Sequence, residues 1–529
     1  MRPPDSAILR YQRETADGTI HTYEPLVEER SNSLAGVLEI EAEVLRGVSL
    51  PSLLAGRARL FASEGQAARD DPSGTFALSK PVDSLSFFLS HSWRTSRIAK
   101  YCALCVHFNL RRAAVASAVA NLFVFLWQLL RRDGMLPAVH PADNTLTTGG
   151  QWCEFTATLV FLPVLFFGHA FDDRHFFLDI ACISQDDQHR KATGISSLGA
   201  VLDRSERMLV LADGHYFSRL WCLFELSAFA KRAGPSRLDL VPLHVPLRRM
   251  GWIICLGLFQ ISMMTLLIPT IGPAMVEAIN ANPLVGLVIF TTAWFVPGVP
   301  VVLAAELEAC EIEEATRALR HFKLADAECY SAADREAILG LISKWWTDRE
   351  SGVSDPERLR QLGFHRFERF VRYELVPQLS VLAGGDWSAS SFLAIYVIGI
   401  HGWVLDLLTY GPGLTVYHTL ATVLYAAFMA GFWLPPTFAT IQFIGGVAWR
   451  AGRRGWPPKL AFALALAASV VALLVINLLM YTLPFPNVVL DPEWRFPDDG
   501  IDEFGQKILK IQVVFAMYAV GAASLFFSG

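Results

Sequence analysis

Charge is scarce in this chain. Only 18% of its 529 residues are Asp, Glu, Lys or Arg, 53% are hydrophobic, and mean hydropathy is +0.36. Soluble domains carry about 25% charged and about 45–50% apolar residues, so much of this chain is expected in lipid. The net charge of −5 gives no basic excess, and no nucleic-acid partner is expected. Cysteine is sparse too, with eight thiols and a single Cys-x-x-Cys, Cys102 to Cys105, with His107 nearby. A structural zinc site wants four ligands in two spaced pairs. The second pair is missing, so these residues are expected to pack along a helix. Also absent are the phosphate loops GxxxxGK[ST] and GxGxxG and any ordered Ser-His-Asp set, which leaves ATPase, kinase and hydrolase chemistry unsupported. The amino terminus, MRPPDSAILRYQRE, lacks the apolar core of a secretory signal, so insertion into a bilayer is expected to rely on internal spans.

Long apolar runs are what the chain has in quantity. A hydrocarbon core about 30 Å thick takes about 20 mostly apolar residues to cross, and eight segments are candidates: 113–130, 155–170, 251–271, 284–304, 391–408, 414–434, 460–483 and 508–527. The first two are short, and a hairpin packed on a soluble domain is their alternative. Lys and Arg in short loops stay cytosolic. Arg94, Arg97, Lys100, Arg111 and Arg112 precede the first span, Arg248 and Arg249 the third, and Arg450, Arg453, Arg454 and Lys459 the seventh. Loops 272–283 and 410–413 hold no basic residue, while Arg131, Arg132 and Lys507 run against the pattern. Both termini are therefore expected in the cytosol. His401, Asp406 and His418 lie on adjacent spans, where ionisable groups mark either an interior path or a structural pairing.

Before the first span, and again between the second and third, the periodicity changes. SLSFFLSHSW at 84–93, HFFLDIACISQDD at 175–187, RMLVLAD at 207–213 and LDLVPLHV at 238–245 each read as a short apolar strand ending in polar or small residues, with helical segments between them. Such runs suit a parallel sheet covered on both faces, with FFLDI and RMLVL as neighbouring strands. In open α/β sheets ligands gather at the carboxyl ends of strands, where Ser90, His91, Ser92, Asp179, Asp186 and Asp213 fall.

FFLSHSW, FFLDIACISQ, SSLGAVLDRSERMLVLAD and YFSRLWCLFEL, in this order, resemble a Toll/interleukin-1 receptor (TIR) domain of plant type. The likeness covers roughly 84–245 and is most specific at Ser218–Leu226, SRLWCLFEL. It implies strands at 84–89, 176–180 and 208–212, a mobile loop at 181–194, and a site-bearing helix at 221–231. It also implies that Glu225 matches the glutamate with which NAD-cleaving members break the nicotinamide–ribose bond, with NAD as substrate and no cofactor. A carboxylate there can stabilise an oxocarbenium-like state or hold a ribose hydroxyl. Capping, or pairing with Arg219, is its structural alternative. Ser90, His91, Ser92 and Trp93 form a candidate binding loop. Asp179 either orders the loop after its strand or meets substrate, while Trp221 and Cys222 flank Glu225, with packing the expected role of the thiol.

The expected organisation is a segment at 1–83 and a truncated TIR-like α/β domain at 84–245, interrupted by a membrane hairpin at about 113–170. Two spans at 250–305, a cytosolic helical linker at 306–388 and about four further spans at 389–529 complete it. If 95–112 runs on into the first span, one helix of about 35 residues, about 53 Å long, results. In the linker, Ser331 with Asp334 and Asp355 before Pro356 read as helix starts. Phe364, Phe367, Phe370 and Val371 share one face. Arg366, Arg369 and Arg372 share another, expected to face solvent, lipid headgroups or an anionic partner. The resemblance implies signalling through self-association of TIR-like domains, and the apolar spans make membrane lipid the other expected partner. A non-catalytic scaffold and a regulated channel or transporter remain alternatives.

Overall fold

The computed structural model describes residues 11–14, 20–23, 45–62, 70–130, 152–262, 315–329, 331–347, 355–376 and 405–406. Five of the eight candidate spans therefore lie wholly or largely outside the described residues, as do His401 and His418, and the span at 251–271 is described only as far as Ser262. Two compact units divide the chain. The first comprises Met1–His107, His169–Leu247 and Glu311–Gly384, and the second Phe108–Gly168, Arg248–Cys310 and Gly385–Gly529.

In chain order the first unit opens with a small hairpin, β1 (Tyr11–Glu14) and β2 (Ile20–Tyr23). Then come β3 (Arg46–Ser49), α1 (Leu50–Ala58), α2 (Pro72–Ala77), β4 (Ser79–Pro81) and β5 (Leu85–His91). Helix α3 (Arg97–Leu130) begins in this unit and ends in the second, which also holds α4 (Trp152–Phe167). Returning to the first unit, the chain forms β6 (His175–Phe177), α5 (Asp179–Cys182), α6 (Gln188–Ser196), α7 (Leu198–Asp203), β7 (Ser205–Ala212), α8 (Leu220–Ala233) and β8 (Leu238–Pro242). Helix α9 (His244–Ser262) leads away, and α10 (Ala332–Trp346) and α11 (Pro356–Phe370) belong to the first unit again.

The sheet has six strands in the order β4-β3-β6-β5-β7-β8. Strands β6, β5, β7 and β8 run parallel, whereas β3 is antiparallel to both β6 and β4. The expected parallel sheet is thus mixed, because residues 46–81, placed by sequence in a separate leading segment, add two edge strands. FFLDI and RMLVL share the sheet but are not neighbours. Strand β5 lies between them, Phe87 facing Phe176 on one side and Arg207 on the other. Its burial explains the central place: of the seven residues only Ser86 is not fully buried. Phe87 stacks on Phe176 at 5.3 Å and Phe88 on Phe177 at 5.0 Å. Each such ring taken from water contributes about 1.5–3 kcal/mol before entropy is counted.

The second strand is shorter than expected, because Asp179 turns the chain. Its carboxylate accepts the Ile180 N–H at 2.8 Å, and the Leu178 carbonyl accepts from Ala181 and Cys182. The segment 181–194, expected as a loop, is helical from Gln188, where Asp187 caps α6 by accepting from His189 and Arg190. Helix α8 spans the expected 221–231 and stops at Gly234, whose φ of +76° a side chain would resist.

The linker caps are as expected: Ser331 accepts from Asp334 N, and Asp355 from Glu357 N. Of the three arginines expected on the basic face, Arg369 of α11 is exposed, whereas Arg366 of α11 and Arg372 just beyond its end are engaged within the chain. Arg372 donates to the Phe322 carbonyl at 2.6 Å and Arg366 to that of Trp346 at 3.4 Å.

In the second unit, α3 and α4, the latter continued by a turn at Gly168–Phe171, are long and apolar enough to cross a membrane. From Ala113 onward the exposed side chains of α3 are Val115, Val119 (60%), Phe123 (66%), Trp127 and Leu130, while Ser117 and Asn121 are buried along with Phe125 and Leu129, as is Asn109 before them. Ser117 donates to the Ala157 carbonyl and Asn109 to that of Leu165. Gly257 of α9 permits a close approach to α4, since a Cβ there would meet Leu162 at 2.9 Å. Asp406 caps α4, accepting from the Cys153 and Glu154 N–H groups at 3.0 Å each.

Candidate active site

The carboxyl ends of β5, β6 and β7 converge, and α8 lies over them. Its amino terminus is held by distant chain: Glu328 N–H donates to the Ser218 carbonyl at 2.6 Å, and Leu220 N–H to the Glu328 carbonyl at 3.0 Å. This backbone clamp satisfies an amide that the cap residue Arg219 leaves without a side-chain bond. Farther along, Trp346 donates to the buried Ser227 hydroxyl at 2.9 Å, and Phe224 meets Trp345 at 5.3 Å.

Glu225 is half-buried, and Ser90 at the end of β5 donates to its Oε2 at 2.6 Å. Tyr216 lies 2.7 Å from the same hydroxyl. Ser90 has one proton and gives it to Glu225, so the Tyr216 hydroxyl supplies the second bond, making a relay from Tyr216 through Ser90 to Glu225. Burial pushes the Glu225 carboxyl up to about 8; the Ser90 bond opposes this, the Asp179 charge adds to it and Arg219 opposes it. Arg219 and Glu225 form no ion pair, so the expected structural alternative of a pair is not realised.

The remaining expected residues divide by role. Asp179 accepts from Trp93 Nε1 at 3.3 Å and from its neighbour's N–H, so it joins the turn after β6 to the loop after β5. Ser92 is wholly buried, and its carbonyl accepts from Lys100 Nζ at 2.8 Å. His91 lies between Phe61 (5.1 Å) and Trp93 (4.5 Å), with neither ring nitrogen hydrogen-bonded. Burial, helped by the Lys100 charge, lowers its pKa well below 6.5 and keeps it neutral. Cys222 is buried with its thiol toward the His91 carbonyl at 3.6 Å, and burial raises its pKa. That is a packing role. Asp213 accepts from Thr95 Oγ1. Asp186 accepts instead from Ser184 and from Ser73, so it is tied to the amino-terminal segment.

Sequence reasoning missed four contributors. Tyr216 was legible only as part of the apolar run before the tryptophan. Lys100 read as a basic residue flanking a span, and nothing marks it as wholly buried. Glu328 and Cys329 come from the linker, about a hundred residues downstream. With Arg94, Arg219, Leu220 and Trp221 they line a cleft of about 160 Å³. Trp221 and Glu225 are four residues apart on α8 and so share a face.

No protein-family model, no curated protein and no solved structure matches this chain.

Proposed function

We propose that this chain is a multi-pass membrane protein whose TIR-like domain cleaves the nicotinamide–ribose bond of NAD, with Glu225 as the catalytic carboxylate. The reading rests above all on the bond that brings Ser90 and Glu225, 135 positions apart, to the carboxyl edge of a parallel set of strands, where open α/β sheets take ligands. In the reaction the C1′–N bond breaks, its electron pair leaves with the nicotinamide ring nitrogen, and water adds to C1′ and releases a proton. Positive charge develops on the ribose, and an ionised Glu225 stabilises it or fixes a ribose hydroxyl. Tyr216 and Ser90 hold that carboxylate in one orientation. Trp221, on the same helix face, limits competition from water.

The membrane part of the reading is supported by the outer face of α3, where Val115, Val119, Phe123, Trp127 and Leu130 are exposed while Ser117 and Asn121 are buried, the arrangement that a lipid solvent favours. A scaffold that only recruits partners also has an observation in its favour, since the cleft is smaller than the roughly 300–1,000 Å³ of ligand pockets. The deciding experiment follows nicotinamide release from NAD by the full-length protein in nanodiscs, beside Glu225→Gln. Catalysis by Glu225 requires a loss of about 10²- to 10⁴-fold in the variant. Equal release by both proteins removes Glu225 from the mechanism, and no release by either favours the scaffold.

A further inference from the structure

The cleft in front of α8 has a composition that the linker alone completes. Two arginines, Arg94 from the loop after β5 and Arg219 from the cap of α8, line it with Leu220, Trp221, Glu328 and Cys329. Arg219 is half-buried, so its charge is less screened than that of a surface residue. Guanidinium groups match the oxygens of phosphate with paired N–H donors, and two of them carry enough charge for a diphosphate. The acid in the wall, Glu328, is exposed, and its backbone is occupied in clamping α8. At about 160 Å³ the cleft has room for phosphate groups but not for a whole dinucleotide. Trp221, on the cleft wall, shares a face of α8 with Glu225 four residues on.

We infer that this cleft is a diphosphate subsite, in which Arg219 and Arg94 hold the pyrophosphate of a dinucleotide and Glu328–Cys329 of the linker forms the far wall. It rests on the active-site reading above for its dinucleotide, but its anion chemistry stands on the cleft alone. The linker is then part of the binding site, and displacing it from α8 opens the subsite.

Cys329 on the cleft wall reports occupancy without any turnover. Full-length protein in nanodiscs is alkylated with iodoacetamide, with and without inorganic pyrophosphate, and modification of Cys329 is followed by peptide mass spectrometry against a small-molecule thiol in the same tube as reference. Pyrophosphate is expected to slow alkylation of Cys329 about tenfold and leave that of the small-molecule thiol unchanged, with Arg219→Gln weakening the protection about tenfold and Arg219→Lys restoring part of it. Glu225→Gln keeps the protection. An alkylation rate of Cys329 indifferent to millimolar pyrophosphate overturns the inference, as does protection that survives Arg94→Gln and Arg219→Gln together. Protection without nicotinamide release leaves the subsite standing and removes the catalytic reading.

Discussion

The chemistry of single residues here turns on one carboxyl whose burial opposes its charge. Glu225, at about 8, binds its proton more tightly folded than unfolded, where the value is about 4.3. Its contribution to stability is therefore greatest below the unfolded value and is lost as pH rises toward 8. Thermal unfolding should show this directly: between pH 5 and pH 8 wild type loses melting temperature relative to Glu225→Gln, and parallel curves for the two count against a raised carboxyl. Cleavage by the ionised form has the opposite slope, with kcat/KM rising through about pH 8. Removing the Ser90 hydroxyl withdraws the bond that lowers this pKa. Ser90→Ala should accordingly move the activity profile to higher pH, and an unmoved profile would show that the bond does not reach the reacting state.

Among elements, α8 and the two linker helices form one packed group. Gly363 of α11 lies so close to α10 that a Cβ would stand 2.4 Å from the Ser343 carbonyl oxygen, a backbone atom that cannot swing aside. Gly363→Ala should destabilise the domain by about 1–3 kcal/mol, read as a lowered denaturant midpoint, with Asp355→Ala costing about 1 kcal/mol through its lost cap as a milder reference. Helix starts at Ser331 and Asp355 were legible because capping is local chemistry. The docking of these helices on α8 was not, because it depends on Trp346 reaching Ser227 and on the backbone of Glu328 reaching Leu220, contacts between segments about a hundred positions apart.

For the molecule as a whole, the outward face of α3 is the most exposed part of the membrane reading. Phe123 and Val119 project away from the buried Ser117 and Asn121. If that face meets hydrocarbon, Phe123→Lys places a charge in lipid at a cost of about 2.5–3.5 kcal/mol and should sharply reduce the membrane-inserted fraction. Insertion and thermal stability indistinguishable from wild type would mean that α3 is water-exposed, favouring a hairpin packed on a soluble domain.

Local order along the chain determined the strand runs, the helix caps, the single helix running from Arg97 to Leu130 and the polar residues at strand ends, because each follows from short-range periodicity and hydrogen bonding. The place of β5 between FFLDI and RMLVL was decided only in three dimensions, since strand order reflects which strand can be buried on both faces and both edges. The two antiparallel edge strands, the Tyr216–Ser90–Glu225 relay and the linker wall of the cleft belong to the same category. Each joins residues whose separate local signals are weak, and only the packed sheet brings them within hydrogen-bonding reach.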